Sequence, residues 1–292
     1  MQLPSSQSRF DQLVYHNLES FAEAFQIDHI PYIQPLVHRF FMTHAQQITH
    51  TILGYDQHID TYGMADGSRW LLERFSTSLE VFNQDQIPQT GPLLIVSNHP
   101  GMTDAMTIFA TLTRTDIHVV AQKNPFISLL HNIQKYIIFV NEASLTNVRA
   151  VRRILAVLRA GHTVILFPAG EIEPDPAMHI SAQEKLSTWS SSMSLFMKHI
   201  PELHILPVAI GGVISQKATA HPLVRLYQTQ SRRDWVAATL MVMYEQYREV
   251  TVTVRYGTPI QATQSTVMAL IESDMRHLIA ETWQKAQRLN RI

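Results

Sequence analysis

His99 and Asp104 are the two residues whose types and spacing are best suited to acid–base chemistry. They follow the apolar run 93–96, which predicts a buried strand with an imidazole at its carboxyl end and a carboxylate in the next turn. Such a carboxylate can hold one ring nitrogen as N–H and leave the other to take a proton from a hydroxyl. Pro100 and Gly101 favour a bend between the two residues. The pattern predicts a general base, His99, oriented by Asp104.

Two further apolar runs also end in turn residues. Residues 164–167 lead into a Pro-Ala-Gly-Glu turn at 168–171, and the run 203–208 is followed by glycines at 211 and 212. Buried strands that end in this way predict one rim of a sheet. In open α/β sheets, ligands bind in the crevice beyond the strand ends, so the sequence predicts a site along that rim.

The residues at these three strand ends resemble blocks of the glycerolipid acyltransferase family, which includes glycerol-3-phosphate and lysophosphatidic acid acyltransferases. Residues 98–104, 167–171 and 206–208 are similar to its first, third and fourth blocks, and the resemblance spans roughly 93–259. It implies transfer of a fatty acyl group from acyl-CoA or acyl carrier protein to a hydroxyl of a lysolipid or glycerolipid-like acceptor. His99 would be the base and Asp104 its partner, without a cofactor.

The resemblance also marks residues for substrate binding: Asn98, Gly101, Phe167, Pro168, Gly170 and Glu171. Asn98 would shape the turn beside the base, although a plain turn residue explains it nearly as well. Gly101 permits close approach of a substrate to the main chain. Backbone N–H donors for a negatively charged intermediate are expected around Gly101 and Gly170. Glu171 could orient an acceptor group or could be an ordinary turn carboxylate, and Asp104 could also begin a helix.

The third block departs from the family's usual Phe-Pro-Glu-Gly-Thr followed by an arginine. Ala169 replaces the glutamate, Glu171 replaces the threonine, and residues 172–175 contain no arginine. The second block, at 139–142, also lacks its usual arginine. In the family these arginines are taken to hold the acceptor's phosphate, a bidentate task that lysine or asparagine does not duplicate. The departures argue against a phosphate-bearing glycerol acceptor.

The charges around these blocks bear on the same question. Three carboxylates after Gly170 would repel a phosphate, and these are Glu171, Glu173 and Asp175. The Phe-Pro-Ala-Gly variant is similar to the haemolysin-like and ornithine-lipid acyltransferases, whose acceptors differ from simple glycerol phosphates. Three arginines at the start of a predicted helix could replace the missing guanidinium groups or form a solvated helix face, and these are Arg149, Arg152 and Arg153.

The composition excludes several other classes of protein. A net charge of −1 and a pI near 7.0 argue against nucleic acid as a partner. The absence of cysteine rules out disulfides, thiolate zinc sites and a cysteine nucleophile. The histidines lack metal-ligand spacing, so no metal is expected, and no glycine-rich nucleotide motif occurs. Charged residues make up only 16% of the chain, against about 25% on average, which suits either contact with lipid or an uncharged polar surface.

The location of the protein is predicted from its apolar segments. The sequence has no run of about 18 consecutive apolar residues, so no transmembrane helix is predicted. The first residues, MQLPSSQSRFDQ, lack the charged and then apolar pattern of a signal peptide. The chain is therefore expected in the cytoplasm, and attachment to a membrane surface is compatible with a lipid-like acceptor.

The periodicity predicts an N-terminal helical segment over 1–85 and an α/β domain over 86–292, and the resemblance implies that the latter is the acyltransferase domain. Helical spacing extends to about residue 83, and these helices either pack on the catalytic domain, which the scarcity of lysine favours, or lie on a bilayer. Strands are predicted at 92–97, 116–121, 136–140, 163–167, 203–210 and 250–256. Helices are predicted at 103–113, 125–134, 146–160, 181–199, 234–247 and 265–289. This alternation predicts a mainly parallel sheet flanked by helices.

The residues also bear on two alternatives to acyl transfer. An α/β-hydrolase-type esterase is disfavoured because the G-x-S-x-G pattern is missing. Without a cysteine or such a serine, direct attack of the acceptor on the thioester is preferred to a covalent enzyme intermediate. A non-catalytic acyl- or lipid-binding protein that retains the fold stays open, because the second and third blocks are altered.

Overall fold

The apolar runs of the sequence form the centre of a seven-stranded sheet in the computed structural model. The structure describes residues 8–30, 32, 34–101, 103–140, 148–191, 193–261, 263 and 265–289. The strands are β1 (Ser78–Phe82), β2 (Leu93–Ser97), β3 (Ile117–Gln122), β4 (Ile137–Val140), β5 (Thr163–Leu166), β6 (His204–Gly211) and β7 (Thr251–Tyr256).

Helices flank the sheet on both faces, as the alternating pattern predicts. The α-helices are α1 (Arg9–Ala24), α2 (Gln34–Tyr62), α3 (Met64–Phe75), α4 (Asp104–Thr111), α5 (Pro125–Ser128), α6 (Val148–Arg159), α7 (Met193–His199), α8 (Gln216–Thr219), α9 (Pro222–Arg225), α10 (Gln230–Met243) and α11 (Val267–Leu289). Short 3₁₀ helices cover Gln84–Gln86, Ile133–Tyr136, Ile180–Thr188 and Glu245–Tyr247.

The strand order is β1-β7-β6-β2-β5-β3-β4, and β6–β7 is the antiparallel pair among otherwise parallel neighbours. Strand β2 lies between β5 and β6, with Val96 paired to Leu166 on one side and to Pro207 on the other. Parallel neighbours end at the same edge, so the turns after β2 and β5 meet beside β6. The prediction of a common rim is confirmed.

The two faces of the sheet bury different helices. Leu93 and Ile95 face a core formed with α1–α4 and α10, whereas Leu94 and Val96 face a core formed with α6, α7 and α11. This alternation follows from the strand period of two. Because both faces are covered, the central strands β2, β5 and β6 consist mainly of apolar residues. The first helices therefore belong to the core on one face of the sheet, where α1 and α2 pack against α10 and α3 packs against α4, as the scarcity of lysine favours.

The prediction of helix to about residue 83 is wrong at its end. Helix α3 stops at Phe75, and residues 78–82 form β1, which pairs in parallel with β7 from Ser78–Thr251 onward. Leu79 and Val81 pack against the core of the first face. A run this short does not separate helix from strand by periodicity, and its partner strand lies about 170 residues later in the chain.

Other predicted helices are shorter or interrupted. The helix predicted over 181–199 is a 3₁₀ helix followed by α7, and the one predicted over 125–134 is α5 with a later 3₁₀ turn. Helix α10 begins four residues before the predicted 234, and of the helix predicted from 146, residues 146 and 147 lie outside the described residues. Within the described ranges, no helix is long and apolar enough to cross a bilayer.

Candidate active site

His99 and Asp104 form a hydrogen-bonded pair at the carboxyl end of β2. His99 Nδ1 lies 2.5 Å from Asp104 Oδ2, and Asp104 is the buried first residue of α4. A carboxylate only accepts, so this contact assigns the ring proton to Nδ1 and leaves Nε2 as the nitrogen that can take a proton. The geometry is that of a general base with its orienting acid.

Asp104 serves the start of α4 at the same time. Its Oδ1 accepts the N–H of Ala105 at 2.6 Å. Its Oδ2 accepts the N–H of Gly101 at 3.1 Å and also the Nδ1–H of His99. Asp104 therefore both orients His99 and begins the helix, and it uses a different carboxylate oxygen for each role. The Pro100–Gly101 bend brings His99 back over the first turn of the helix.

The imidazole of His99 is partly exposed, with 30% of its side chain accessible, and stacks on Phe167 with ring centroids 4.7 Å apart. Burial lowers the pKa of His99, but the Asp104 carboxylate, with a contribution from Glu173, raises it above the ordinary value. The negative charges of these two carboxylates therefore favour the protonated form of the His99 imidazole.

Glu173 and Asp175, which the sequence assigns to a repelling acidic loop, turn inward instead. Glu173 is 2% exposed and accepts the backbone N–H of His99 at 2.9 Å. Asp175 is fully buried and accepts the N–H groups of Ala177, Gly212, Val213 and Ile214. Both carboxylates are satisfied within the protein, and burial raises the pKa of each. Two of the three carboxylates of the expected acidic loop therefore serve hydrogen-bond donors inside the protein.

Glu171 does not lie on the cavity wall, contrary to its assignment to substrate binding. Its side chain is 60% exposed and forms an ion pair with Lys185 at 3.0 Å. This contact fits the alternative of a turn carboxylate. The sequence could not show it because Lys185 belongs to a different element, the 3₁₀ helix after the loop.

Asn98, which was also assigned to substrate binding, does not line the cavity. Its Nδ2 donates to the carbonyl of Ile210 at 2.8 Å, and its Oδ1 accepts the N–H of Ile210 at 2.9 Å. The amide is buried and ties the end of β2 to β6, so it shapes the turn that carries His99.

The backbone donors expected at Gly101 and Gly170 are engaged within the protein. The N–H of Gly101 donates to Asp104, and that of Gly170 donates to the carbonyl of Phe167 at 3.1 Å. The expectation that they stabilise a negatively charged intermediate is thus not met in this arrangement. A side chain at Gly101 would meet Val213 at 3.3 Å, so the glycine serves packing against that residue.

A cavity of about 780 Å³ opens beside His99. Phe167, Pro168 and Gly170 line it, as predicted for the third block, and Thr188, Ser190 and Ser191 supply polar groups. Most of its wall is apolar. The apolar lining comprises Ile52, Ala105, Met106, Phe109, Val119, Val120, Ala121, Phe126, Ile127, Leu130, Ile133, Ile137, Val140, Leu166 and Ala169.

Sequence reasoning missed most of this wall. Ile52 and Tyr55 come from α2 and Phe109 from α4, and in the sequence they look like ordinary core positions of amphipathic helices. Arg152 and Arg153 are exposed on α6 and do not line the cavity, which favours the solvated helix face.

Two of the second-block residues, Asn141 and Glu142, lie outside the described residues.

Part of the chain that contains this site matches a family of known proteins. Residues 78–211 match the model of a family described as Acyltransferase, and this stretch contains the histidine–aspartate pair and the Phe-Pro-Ala-Gly loop. The prediction of an acyltransferase enzyme is confirmed. No curated protein matches the chain. A crystal structure of the 1-acyl-sn-glycerophosphate (LPA) acyltransferase PlsC from Thermotoga maritima is similar at a TM-score of 0.48 and 15% identity, covering 94% of this chain and 97% of that one.

Proposed function

We propose that this protein is an O-acyltransferase that moves a fatty acyl group from acyl-CoA or acyl carrier protein to a hydroxyl of a lysolipid or glycerolipid-like acceptor. The observation that carries the proposal is the His99–Asp104 pair opening onto an apolar cavity of about 780 Å³. Such a volume is within the range of about 300–1,000 Å³ usual for small-molecule sites. The acyl thioester is a co-substrate, and the mechanism uses no further cofactor.

The reaction proceeds by direct attack. The acceptor hydroxyl gives its proton to Nε2 of His99 while its oxygen adds to the thioester carbonyl. The tetrahedral intermediate then collapses, the carbon–sulfur bond breaks, and the departing thiolate takes the proton back from the imidazolium. Asp104 holds the Nδ1–H throughout and stabilises the positive charge.

The apolar wall suits the hydrocarbon tail of the acyl group. Each methylene transferred from water to such a wall contributes about 0.8 kcal/mol. Tail binding therefore supplies both affinity for the donor and a limit on the length of chain that the cavity can hold. Phe109, Leu130 and Ile137 are each at most 4% exposed, so this part of the wall is buried as well as apolar.

The acceptor we propose has no phosphate monoester beside the reacting hydroxyl. In the described part of the cavity wall there is no arginine or lysine, and Lys185 nearby is paired with Glu171. The Phe-Pro-Ala-Gly sequence supports the same choice, through its likeness to the haemolysin-like and ornithine-lipid subgroup.

Contact with a membrane surface is part of the proposal, since acceptors of this class reside in lipid. Large apolar side chains are exposed around the connection from α1 to α2, with Tyr32 95%, Leu36 69% and Phe40 63% accessible. Exposed aromatic and aliphatic groups of this kind are typical of surfaces that meet other apolar surfaces.

The proposal is tested by incubating the purified protein with hexadecanoyl-CoA or the matching acyl carrier protein and a panel of acceptors, with products identified by mass spectrometry. The panel includes lysophosphatidic acid, lysophosphatidylethanolamine and a monoacylglycerol. We expect a new ester on an acceptor whose hydroxyl is remote from a phosphate monoester. Binding of the acyl thioester without turnover of any acceptor supports the alternative, a non-catalytic acyl-binding protein.

Narrowing the cavity is expected to change the preferred chain length. In the variant Ile52→Trp a larger side chain takes up part of the cavity. The end of a hexadecanoyl chain is then less buried, whereas the shorter octanoyl chain still fits. Loss of two buried methylenes lowers the hexadecanoyl-to-octanoyl ratio of kcat/KM by about tenfold. Ile180→Trp, at an exposed position on the 3₁₀ helix, is the matched control. An unchanged ratio in Ile52→Trp argues against tail binding in this cavity.

A further inference from the structure

Glu173 holds both peptide groups of His99. Its Oε2 accepts the backbone N–H of His99 at 2.9 Å, and its own N–H donates to the carbonyl of His99 at 2.8 Å. One residue of the loop after β5 thus clamps the main chain of the base at the end of β2. The two elements are 74 positions apart in the sequence, so this clamp is a tertiary contact.

The second carboxylate oxygen of Glu173 is also occupied. Its Oε1 accepts the indole N–H of Trp189 at 2.9 Å, and Trp189 is buried at 7% exposure. The two donors, one on each oxygen, fix the orientation of the Glu173 carboxylate. Burying a carboxylate is costly unless its oxygens are hydrogen-bonded, and here each oxygen of Glu173 has a donor.

Glu173 also acts on the imidazole through its charge. The charged groups that face His99 and Glu173 from the packed elements, within the described ranges, are Asp104 at the start of α4 and Lys185 on the 3₁₀ helix. Asp104 contacts the ring directly, while Glu173 adds a second negative charge behind the main chain. Its carboxylate contributes to raising the pKa of His99.

We propose that Glu173 is a positioning residue for His99, which clamps the main chain of the base and places a second negative charge beside the imidazole. This inference rests on the proposed function, in which His99 is the general base. Glu173 would act through His99 rather than on substrate, since it is buried and does not line the cavity.

The test is Glu173→Gln, studied by the pH profile of kcat/KM and by NMR titration of the His99 ring, assigned by comparison with His99→Gln. The glutamine amide has one acceptor oxygen, whereas two groups donate to Glu173, the backbone N–H of His99 and the indole N–H of Trp189. The clamp therefore weakens, and we expect kcat/KM to fall about tenfold or more. Neutral imidazole is the active form, so activity falls as pH drops through the pKa of His99. Removing the negative charge lowers that pKa, so the acid limb and the NMR midpoint both move to lower pH.

A double variant separates the clamp from the charge. In Glu173→Gln/Trp189→Phe the indole donor is gone, so the amide oxygen can accept from His99 while its NH₂ group faces no competing donor. We expect kcat at the pH optimum to recover, while the pKa of His99 stays low. The double variant also serves where the single one fails to fold. Glu202→Gln, an exposed glutamate at the opposite edge of the sheet, is the matched control and should behave as the wild type.

The outcomes separate this inference from the proposed function. A wild-type pH profile and a wild-type His99 titration in both Glu173 variants overturn the positioning role. Recovery of the wild-type His99 titration midpoint in the double variant overturns the charge effect. Full activity in His99→Ala overturns the mechanism instead, and the NMR measurement still reports on Glu173, because it needs no turnover.

Discussion

Replacing His99 by alanine is expected to lower kcat of acyl transfer by about 10²- to 10⁴-fold, the usual contribution of a general base. The acceptor hydroxyl then has no group to take its proton during attack, while the apolar wall proposed to bind the acyl chain is retained. Since the imidazole is 30% exposed and sits at a strand end, the fold should survive. Steady-state assays with acyl-CoA measure the loss, and thermal melting checks the fold.

His277→Ala, at a position with 71% of the side chain exposed on α11, is the matched control and should retain wild-type kcat. The wild-type profile of kcat/KM is expected to fall on the acid side with a midpoint above the ordinary pKa of histidine, because Asp104 and Glu173 together outweigh the effect of burial on the pKa of His99. Wild-type turnover by His99→Ala would falsify the assignment of the base.

Asp175→Ala is expected to have the largest effect on stability. Its carboxylate accepts four backbone N–H groups, with Ala177 and Gly212 on one oxygen and Val213 and Ile214 on the other. Removing it leaves these donors unsatisfied in a buried place, at a cost of about 3–5 kcal/mol in the free energy of unfolding. Thermal melting should show a fall of roughly 10 °C in Tm.

The effect should reach the active site as well. Val213 packs against Gly101 in the bend between His99 and Asp104, so loosening the turn after β6 loosens the bend. Asp175→Asn keeps the shape but turns an NH₂ group toward two donors, and we expect about half the loss in stability. Asp85→Ala, an exposed aspartate on the first 3₁₀ helix, is the control. A Tm within a degree of wild type in Asp175→Ala would contradict the structural role.

Gly212 illustrates how such a turn limits the choice of residue. Its φ is +76°, and an added Cβ would lie 2.2 Å from the carbonyl oxygen of Thr251. Both the left-handed backbone and the close approach of β7 therefore require glycine. The sequence indicates a strand end here, but only the packing of β7 explains why no other residue fits.

The acid–base pair was predictable because its signals are local. The apolar run of β2, the bend at Pro100 and Gly101, and the carboxylate of Asp104 lie within about a dozen residues, so chain geometry alone brings Asp104 to the ring of His99. The order of strands and helices was predictable for the same reason, since hydrophobic period is a property of short segments. The error at β1 shows the limit, because a five-residue strand depends on a partner that the local pattern does not contain.

By itself, the sequence determined the mainly parallel α/β class, the rim where β2, β5 and β6 end, and the pairing of His99 with Asp104. The tertiary structure decided which carboxylates face inward, where Asn98 binds, and how α2, α4 and β3 enclose a cavity. These features join residues that are distant in the chain. Whether a polar group near a strand end meets substrate or a backbone donor depends on desolvation and on partners supplied by other elements, and neither can be read from neighbouring residues.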